Sequence, residues 1–417
     1  MSARYFTAYE RLLSFTNLET TWSHTSKQAL EVSLTRMRQL LKRLGNPEKR
    51  LKYIHVTGTS GKGSVTYLLH EILRKNGESV ASYSSPHTTT YLERYRINDK
   101  LPHPDKLADA MELVISAHEQ HILAGQEPLT FFELNTCTAF LLFKLAQVDW
   151  CVLEVGMGGR YDATNVIPSP ALAVITNIDL DHTDLLGPTT AHIAREKAGI
   201  IKPGCLVITG ETEAIPLKII SAEASKTKAP LMVIPNETND HLEHNADLCR
   251  AAAKLLGMSP LATELAIESI QPLPCRLETI QAQPSVILDG AHNAAKIKAT
   301  VDYIKRTTTK PVHVIFGCKS SKDAKAMATQ LSQIAANVTT TRYVNGYGKP
   351  ENPAKLLNLF PAKLRRGGYL FPQEALAASL KLAAKSDTIL ITGSLYLAGE
   401  LRSHWRTEKQ ILKDRQS

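Results

Sequence analysis

A glycine-rich segment with one lysine lies between a short apolar run and an amphipathic pattern. It reads Gly58-Thr59-Ser60-Gly61-Lys62-Gly63-Ser64 and follows the β-rich run Tyr53–Thr57. Glycines let backbone N–H groups converge on phosphate oxygens, the lysine adds a point charge, and a helix start favours anions. The spacing differs from G-x-x-x-x-G-K-[ST], because no glycine lies five residues before Gly61. A turn without a ligand is the alternative, but the flanking strand and helix patterns favour a nucleotide-phosphate loop.

A carboxylate ends a second apolar run. Glu154 lies within Cys151–Val155, immediately before Gly156-Met157-Gly158-Gly159. Open parallel sheets bind ligands at the carboxyl ends of their strands, and Mg²⁺ prefers oxygen ligands of this kind. We therefore expect Glu154 to bind a metal ion, with an exposed strand end as the alternative.

Apolar runs alternate with helical patterns along most of the chain. After an N-terminal helical segment, the runs before residue 270 are Tyr53–Thr57, Ser79–Tyr83, Cys151–Val155, Leu172–Thr176, Leu206–Thr209 and Leu231–Ile234. The turn-rich segment Gln271-Pro272-Leu273-Pro274 then interrupts the alternation. It restarts with Val286–Leu288, Val312–Phe316 and Thr388–Thr392. The pattern predicts an α/β protein with sheets covered on both faces, divided into domains at residues 1–274 and 275–417.

The composition excludes several classes of protein. The chain has 417 residues, 43% of them hydrophobic and 21% charged, which is typical of a globular protein. No apolar run is long enough to span a bilayer and the N-terminus lacks a signal core, so we expect a cytoplasmic protein without a membrane partner. Six widely spaced cysteines with no C-x-x-C pair predict buried free thiols rather than disulfides or a zinc site.

The positive charge is concentrated in the C-terminal third. The net charge is +9, and residues 276–417 carry 22 Lys+Arg but only 10 Asp+Glu. Such a surplus suits nucleic acid or anionic small molecules such as nucleotides and polycarboxylates. Because the basic residues form no long run and have no interleaved aromatics, we expect no nucleic-acid partner.

Several separate motifs together resemble one family. They are Leu44-Gly45-Asn46-Pro47, Ile54–Ser64, Ser84-Ser85-Pro86-His87, Leu153–Asn165, Leu180-Asp181-His182, Glu196–Lys202, Arg276-Leu277-Glu278, Asp289-Gly290-Ala291-His292-Asn293 and Thr392–Leu397. The set is similar to the Mur-ligase superfamily and, within it, to folylpolyglutamate synthase/dihydrofolate synthase. The resemblance implies a large P-loop-type central domain with a mostly parallel sheet, and a smaller Rossmann-like C-terminal glutamate-ligase domain.

The resemblance also implies a reaction. ATP phosphorylates a carboxylate, and the acyl phosphate is attacked by the amine of L-glutamate to form an amide. Two anions must approach each other, so cations are needed to offset their repulsion. The family uses two Mg²⁺ ions for this, with ATP as cosubstrate and dihydropteroate or a reduced folate as acceptor.

Four residues are implied as metal ligands: Ser85, Glu154, His182 and Lys197. In similar enzymes the lysine corresponding to Lys197 is carbamylated by CO₂, which requires a partly buried neutral amine. The residue types alone would make Lys197 a solvated helix lysine and leave His182 undecided. With the resemblance, we expect Lys62, His182 and Lys197 to be the catalytic residues.

The remaining implied contacts bind nucleotide and pterin. The nucleotide set comprises Thr59, Ser60, Gly61, Lys62, Gly63, Ser64, Asn245, Arg276 and Asp289. The pterin or folate set comprises Asn17, Leu18, Thr130, Phe131, Phe132, Glu133, Tyr161, Asp162 and Ala163. Alternatives from the residues alone are an N-cap role for Asn245, before a helix at Ala246–Leu256, and core packing for Phe131 and Phe132. Ser60, Ala294 and the lack of a late Pro-Arg pair depart from the family pattern.

Three functions agree with these observations. The first is a monomeric ligase joining glutamate to dihydropteroate, to folates, or to both. The second is a Mur-type ligase with another acid or amine. The third is a nucleotide-switched binding protein or simple NTPase, which would hydrolyse nucleotide without any acceptor.

Overall fold

A computed structural model describes residues 3–15, 27–237, 240–346 and 348–416. The chain forms two compact units. The first comprises Met1–His87 and Leu92–Ile270, and the second comprises Thr88–Tyr91 and Gln271–Arg415. The sequence pattern predicted a domain boundary after residue 274. It did not predict that Thr88–Tyr91 belongs to the second unit. The domain boundary stays a prediction.

The first unit contains a seven-stranded sheet. Its strands are β1 (Lys52–Thr57), β2 (Val80–Tyr83), β3 (Tyr95–Ile97), β4 (Trp150–Glu154), β5 (Leu172–Ile175), β6 (Leu206–Thr209) and β7 (Leu231–Val233). The spatial order is β3-β2-β4-β1-β5-β6-β7. All pairs are parallel except β2 with β3, which is antiparallel. The predicted mostly parallel sheet is therefore confirmed.

Helices cover both faces of this sheet. They are α1 (Ala3–Leu13), α2 (Lys27–Arg43), α3 (Lys62–Lys75), α4 (Pro104–Leu123), α5 (Phe131–Leu145), α6 (Thr183–Leu186), α7 (Thr190–Ala198), α8 (Ala214–Thr227), α9 (His241–Leu255) and α10 (Pro260–Ser269). Alternate residues of β5 enter different cores: Val174 packs with α3 and α9, whereas Ala173 packs with α7 and α8. Successive strand residues point to opposite faces, so each face has its own core.

The second unit repeats this architecture on a smaller scale. Its strands are β8 (Glu278–Ala282), β9 (Ser285–Leu288), β10 (Val312–Phe316), β11 (Ala335–Thr340), β12 (Arg365–Gly368) and β13 (Thr388–Thr392), in the order β12-β11-β10-β13-β9-β8. Among these six strands, only β8 and β9 pair antiparallel. The helices are α11 (Ala294–Thr307), α12 (Ala324–Leu331), α13 (Pro353–Asn358), α14 (Pro372–Leu382), α15 (Leu395–Arg402) and α16 (Glu408–Asp414). Val314 and Ile315 enter separate cores, so this sheet is also covered on both faces.

All six cysteines are free and buried, as the spacing predicted. In the described part of the chain, no helix is both long and apolar enough to cross a membrane.

Candidate active site

The polar residues singled out in the sequence follow neighbouring strands of the first sheet. Val56 of β1 pairs with Glu154 of β4, and Tyr83 of β2 pairs with Leu153. On the other side, Thr57 pairs with Ile175 of β5. Because these strands are parallel, the segments after them meet at one edge of the sheet, where such folds bind ligands.

The phosphate loop is fixed by residues that follow β5. Gly58 has φ 150°, and a Cβ atom there would lie 1.8 Å from Thr176 Oγ1. Thr176 Oγ1 donates to the carbonyl oxygen of Ser60 at 2.5 Å, and Ser60 N donates to Asn177 Oδ1 at 2.9 Å. Thr59 N donates to the Asn177 carbonyl oxygen at 2.9 Å. The loop conformation is thus set from β5, and only glycine fits at position 58.

The loop ends at the N-terminus of α3. Gly61 is the N-cap in the left-handed conformation, and among the described residues no side chain caps the helix there. A Cβ on Gly61 would lie 2.7 Å from Asn245 Oδ1, so the Asn245 amide borders the loop. A 14-residue helix without a side-chain cap presents N–H groups and a positive dipole end to an anion.

Two lysines meet on the loop's first carbonyl group. Lys62 Nζ donates to the Gly58 carbonyl oxygen at 2.9 Å, and Lys197 Nζ donates to the same oxygen at 2.8 Å. Lys197 lies on α7 and is only 4% exposed. The solvated-lysine alternative for Lys197 is therefore wrong. Both amine nitrogens therefore lie beside the first residue of the phosphate loop.

Glu154 lies against the start of α3. It is 6% exposed, and a Cβ on Gly63 would be 3.5 Å from its Oε2. Ser85 N donates to the same Oε2 at 3.3 Å. The structure thus brings together the phosphate loop, Glu154 and Ser85, as the sequence predicted. The exposed-strand-end alternative for Glu154 is wrong.

The available donors fit a magnesium ion that shares its coordination sphere with a nucleotide. Among the residues that the structure describes, no group of three or more His, Cys, Asp or Glu side chains could hold a metal ion. Mg²⁺, however, usually keeps several waters and binds through one or two carboxylates together with substrate phosphates. One buried carboxylate and one hydroxyl beside a phosphate loop match that requirement.

His182 lies on the segment that follows β5. It is exposed, has φ 50°, and precedes the short helix α6. The preceding part of this segment is tied to the loop, because Asp179 N donates to Thr59 Oγ1 at 2.9 Å. His182 therefore lies on a segment anchored to the phosphate loop.

The sequence-based assignment of the helix around Asn245 needs correction. The helix begins at His241, not Ala246, and Asp240 caps it by accepting from Leu242 N at 2.9 Å. Asn245 lies in the second turn, so its N-cap alternative is wrong. The shifted helix start places the Asn245 side chain at Gly61.

Three of the residues at positions 130–133 have structural partners. Thr130 and Glu133 form a capping box for α5. Glu133 is 3% exposed and pairs with Arg36 at 2.9 Å. Phe131 is fully buried, with the guanidinium carbon of Arg94 5.5 Å from its ring centre.

Phe132 differs from its neighbours. It is half-buried, and a Cβ on Gly156 would lie 2.4 Å from its ring. Its ring centre is 6.3 Å from that of Tyr83. Phe132 therefore borders the loop that follows Glu154.

Asp162 lies on that same loop. It is 8% exposed, and its carboxylate accepts from Met157 N at 3.0 Å and Thr164 N at 2.9 Å. Burial raises the pKa of Asp162 above its ordinary value, and these hydrogen bonds offset only part of the rise. Tyr161 is half-buried and Ala163 is buried. Asn17 and Leu18 lie outside the described residues.

Two predicted nucleotide contacts lie close together in the second unit. Asp289 follows β9, is 6% exposed, and accepts from Thr300 Oγ1. A Cβ on Gly290 would lie 3.2 Å from Arg276 Nη1. Arg276 and Asp289 therefore flank one turn at the carboxyl edge of the second sheet.

Sequence reasoning missed the residues that hold the loop in place. Thr176, Asn177 and Asp179 belong to none of the quoted motifs, yet they bind Thr59 and Ser60. The sequence did contain a signal for these residues, because polar residues directly follow several apolar strands at this edge of the sheet.

Comparisons with known proteins agree across nearly the whole chain. The family model described as Mur ligase middle domain matches residues 56–254, and the model described as Mur ligase, glutamate ligase domain matches residues 275–395. The dihydrofolate synthase/folylpolyglutamate synthase of Bacillus subtilis (strain 168) is 31% identical over 440 residues, covering 95% of this chain and 99% of the relative. The folylpolyglutamate synthase of Lacticaseibacillus casei is 33% identical over 407 residues, covering 88% and 93%. A structure of E. coli FolC in complex with DHPP and ADP matches with a TM-score of 0.81 and 29% identity, covering 95% and 97%.

Proposed function

The chain belongs to the dihydrofolate synthase/folylpolyglutamate synthase family of Mur ligases, and from that premise we propose that it is an ATP-dependent ligase adding L-glutamate to dihydropteroate, to tetrahydrofolate, or to both. The arrangement around the phosphate loop gives this proposal its strongest support. An uncapped helix start, two lysines on one carbonyl oxygen and a buried carboxylate surround the same phosphate loop. This arrangement suits a bound triphosphate with its counterions better than a ligand-free turn.

The nucleotide would bind through the loop from Thr59 to Ser64, with Lys62 at the phosphates. Asn245 is supported as a contact because its amide borders Gly61. Arg276 and Asp289 stay predicted nucleotide contacts, supported by their common position at one turn of the second unit. The complex of E. coli FolC with ADP supports nucleotide use in the family.

Ser85 and Glu154 would hold one Mg²⁺, and His182 and a carbamylated Lys197 would hold a second. When bound, these ions offset the charge of the phosphates and the acceptor carboxylate. Carbamylation joins the neutral Lys197 Nζ to CO₂ and releases one proton, which turns the amine into an oxygen ligand. The buried position of Lys197 supports this step, since a fully solvated ammonium group would resist it.

In the reaction, an oxygen of the acceptor carboxylate attacks the γ-phosphorus of ATP, and ADP leaves. The amine of glutamate then attacks the acyl carbon, and phosphate and a proton leave as the amide forms. The loop N–H groups and Lys62 would orient the γ-phosphoryl group throughout. Glu154, held by Ser85 N beside the loop, would bind the counterion that offsets the charge of that group.

The acceptor's heterocycle would contact Phe132 and Asp162. Phe132 presents a half-buried ring for stacking beside Gly156, and Asp162 supplies a buried carboxylate for N–H groups. Tyr161 and Ala163 stay predicted contacts on the same loop. Thr130, Phe131 and Glu133 would act indirectly, by fixing the position of Phe132. Asn17 and Leu18 stay predictions from the sequence.

We further propose that the protein acts in the cytoplasm as a monomer on small molecules. Six buried free thiols fit a reducing compartment. Measuring the mass of the protein in solution by light scattering tests the monomeric state.

The decisive experiment is a glutamate-incorporation assay, run separately with dihydropteroate and with tetrahydrofolate in the presence of ATP and Mg²⁺. We expect labelled product with at least one acceptor and almost no phosphate release when acceptor or glutamate is omitted. Steady phosphate release without an acceptor would instead identify a simple NTPase. Activity only with cell-wall precursors would identify another type of Mur ligase.

A further inference from the structure

A fully buried histidine on β1 has no role in the mechanism above. His55 is 0% exposed and lies three residues before the phosphate loop. Its Nε2 is 2.8 Å from Thr164 Oγ1, which in turn lies 2.5 Å from Asp162 Oδ1. The three side chains form a continuous hydrogen-bonded chain from β1 to Asp162, which we call the His55 relay.

The direction of each hydrogen bond follows from the partners of Asp162. Oδ1 accepts from Thr164 N at 2.9 Å, and Oδ2 accepts from Met157 N at 3.0 Å. Because both carboxylate oxygens are acceptors, the Thr164 hydroxyl hydrogen points to Asp162 and its lone pair faces the imidazole. His55 therefore donates through Nε2–H.

The other side of the imidazole agrees with this assignment. His55 Nδ1 has no hydrogen-bond partner among the described residues, as expected for the unprotonated nitrogen of this tautomer. Burial, together with the charge of nearby Lys202, lowers the pKa of His55 to about 3. The imidazole is thus neutral at working pH, and a single tautomer satisfies the relay.

We propose that His55 and Thr164 are positioning residues, which orient the Asp162 carboxylate so that it accepts N–H groups of the acceptor's heterocycle. The inference rests on the proposed function, in which Asp162 contacts the acceptor. A buried carboxylate stays ionised only while donors surround it, and Thr164 supplies two of them. Because β1 continues directly into the phosphate loop, the relay also fixes Asp162 relative to that loop.

The kinetic test compares two substitutions at one position. Thr164→Val keeps the side-chain shape but removes the hydroxyl, whereas Thr164→Ser keeps it. A matched control is Thr138→Val, which removes a buried hydroxyl that donates to the Leu134 carbonyl oxygen in the same unit. We expect Thr164→Val to raise KM for the acceptor about tenfold, the effect of one hydrogen bond to a charged group.

The other KM values should stay near those of the wild-type enzyme. KM for ATP should change less than about twofold in Thr164→Val, since the phosphate loop is untouched. Thr164→Ser should restore acceptor KM to within about threefold, and Thr138→Val should leave it unchanged. By contrast, the acceptor KM of Thr164→Val should rise as pH falls, because a carboxylate that has lost a hydrogen-bond donor protonates more readily. An equal rise of both KM values, or the same loss in Thr138→Val, would overturn the proposal.

A second measurement does not depend on turnover. In ¹⁵N-histidine-labelled protein, the His55 signals are assigned by their disappearance in His55→Gln. We expect the Nε2–H tautomer, unchanged from about pH 5.5 to 8.5, and a shifted Nε2 resonance in Thr164→Val. An Nδ1–H tautomer, or titration in that range, would overturn the relay. If the wild-type protein adds glutamate to no acceptor, the proposed function fails, and the tautomer still decides whether the relay exists.

Discussion

Gly63 is the second residue of α3, and its backbone faces the Glu154 carboxylate. Its φ lies outside the left-handed region, so alanine fits this backbone without strain. Replacing a glycine in a helix by alanine stabilises the protein by about 0.5–1 kcal/mol. Gly63→Ala should therefore fold at least as well as wild type.

The methyl group that Gly63→Ala introduces should lower the rate of turnover. The added carbon would lie 3.5 Å from Glu154 Oε2 and 3.6 Å from Oε1. These are ordinary van der Waals contacts, so the methyl group displaces nothing in the ligand-free protein. A magnesium ion, however, needs an approach of about 2.1 Å to a carboxylate oxygen, with water and phosphate around it. A carbon atom between the loop and Glu154 takes part of that space.

We therefore expect stability and activity to change in opposite directions. Gly63→Ala should raise Tm by about 1–4 °C and lower kcat/KM for ATP at least about tenfold, with part of the loss recovered at high Mg²⁺. Thermal unfolding of the ligand-free protein and turnover at several Mg²⁺ concentrations measure both effects. Wild-type turnover at limiting Mg²⁺ would refute the placement of the ion between the loop and Glu154. A large loss of stability would refute the geometry itself.

Three further substitutions test other parts of the structure. Glu154→Gln should abolish Mg²⁺-dependent turnover and leave thermal unfolding nearly unchanged, so an active Glu154→Gln enzyme would exclude Glu154 as a ligand. Lys62→Ala should weaken ATP binding about tenfold or more by calorimetry without loss of fold, since alanine is a good helix former; unchanged affinity would remove Lys62 from the phosphate site. In the second unit, the hydrogen bond from His313 at 3.0 Å lowers the pKa of Asp387. A carboxyl group with a lowered pKa stabilises the fold at pH values above its unfolded pKa of about 3.9. Asp387→Asn should therefore lower the free energy of unfolding at pH 7, and the difference from wild type should shrink as pH falls below about 4. A difference that grows on acidification would contradict this.

The parallel strands were predictable because each is a short apolar run. β6, β10 and β13 have the predicted bounds, and β1 differs by one residue at its start. Buried central strands must be apolar on both faces, and few other elements of that length share this pattern.

The missed strands lack that pattern. β3 and β8 are edge strands with few buried residues, and β12 consists of Arg365-Arg366-Gly367-Gly368. β11 begins with half-exposed and exposed residues and is buried only in its second half. Such segments become strands because a neighbouring strand offers hydrogen-bond partners, which is information that a local sequence window does not contain.

The positions of the site residues were predictable from the sequence to different degrees. That Lys62 and Glu154 come together follows from their positions at the ends of parallel strands, whereas Ser85 was expected there only from the family resemblance. The burial of Lys197 on the Gly58 carbonyl does not follow from spacing, because it depends on how α7 packs against the sheet. The position of the Asn245 side chain near Gly61 likewise depends on where α9 begins.

Residues 130–133 show how packing energies choose among candidate ligands. Thr-Phe-Phe-Glu is a capping-box pattern, and the structure uses it as one. Glu133 Oε1 also accepts from Ser33 Oγ and Arg36, and its Oε2 accepts from Thr130 N at 2.7 Å. Turning this carboxylate toward a heterocycle would break a buried ion pair, at a cost of about 3–5 kcal/mol, for hydrogen bonds that contribute about 1–3 kcal/mol. The exchange is unfavourable, so within this segment Phe132 is the side chain that we propose as the contact of the acceptor.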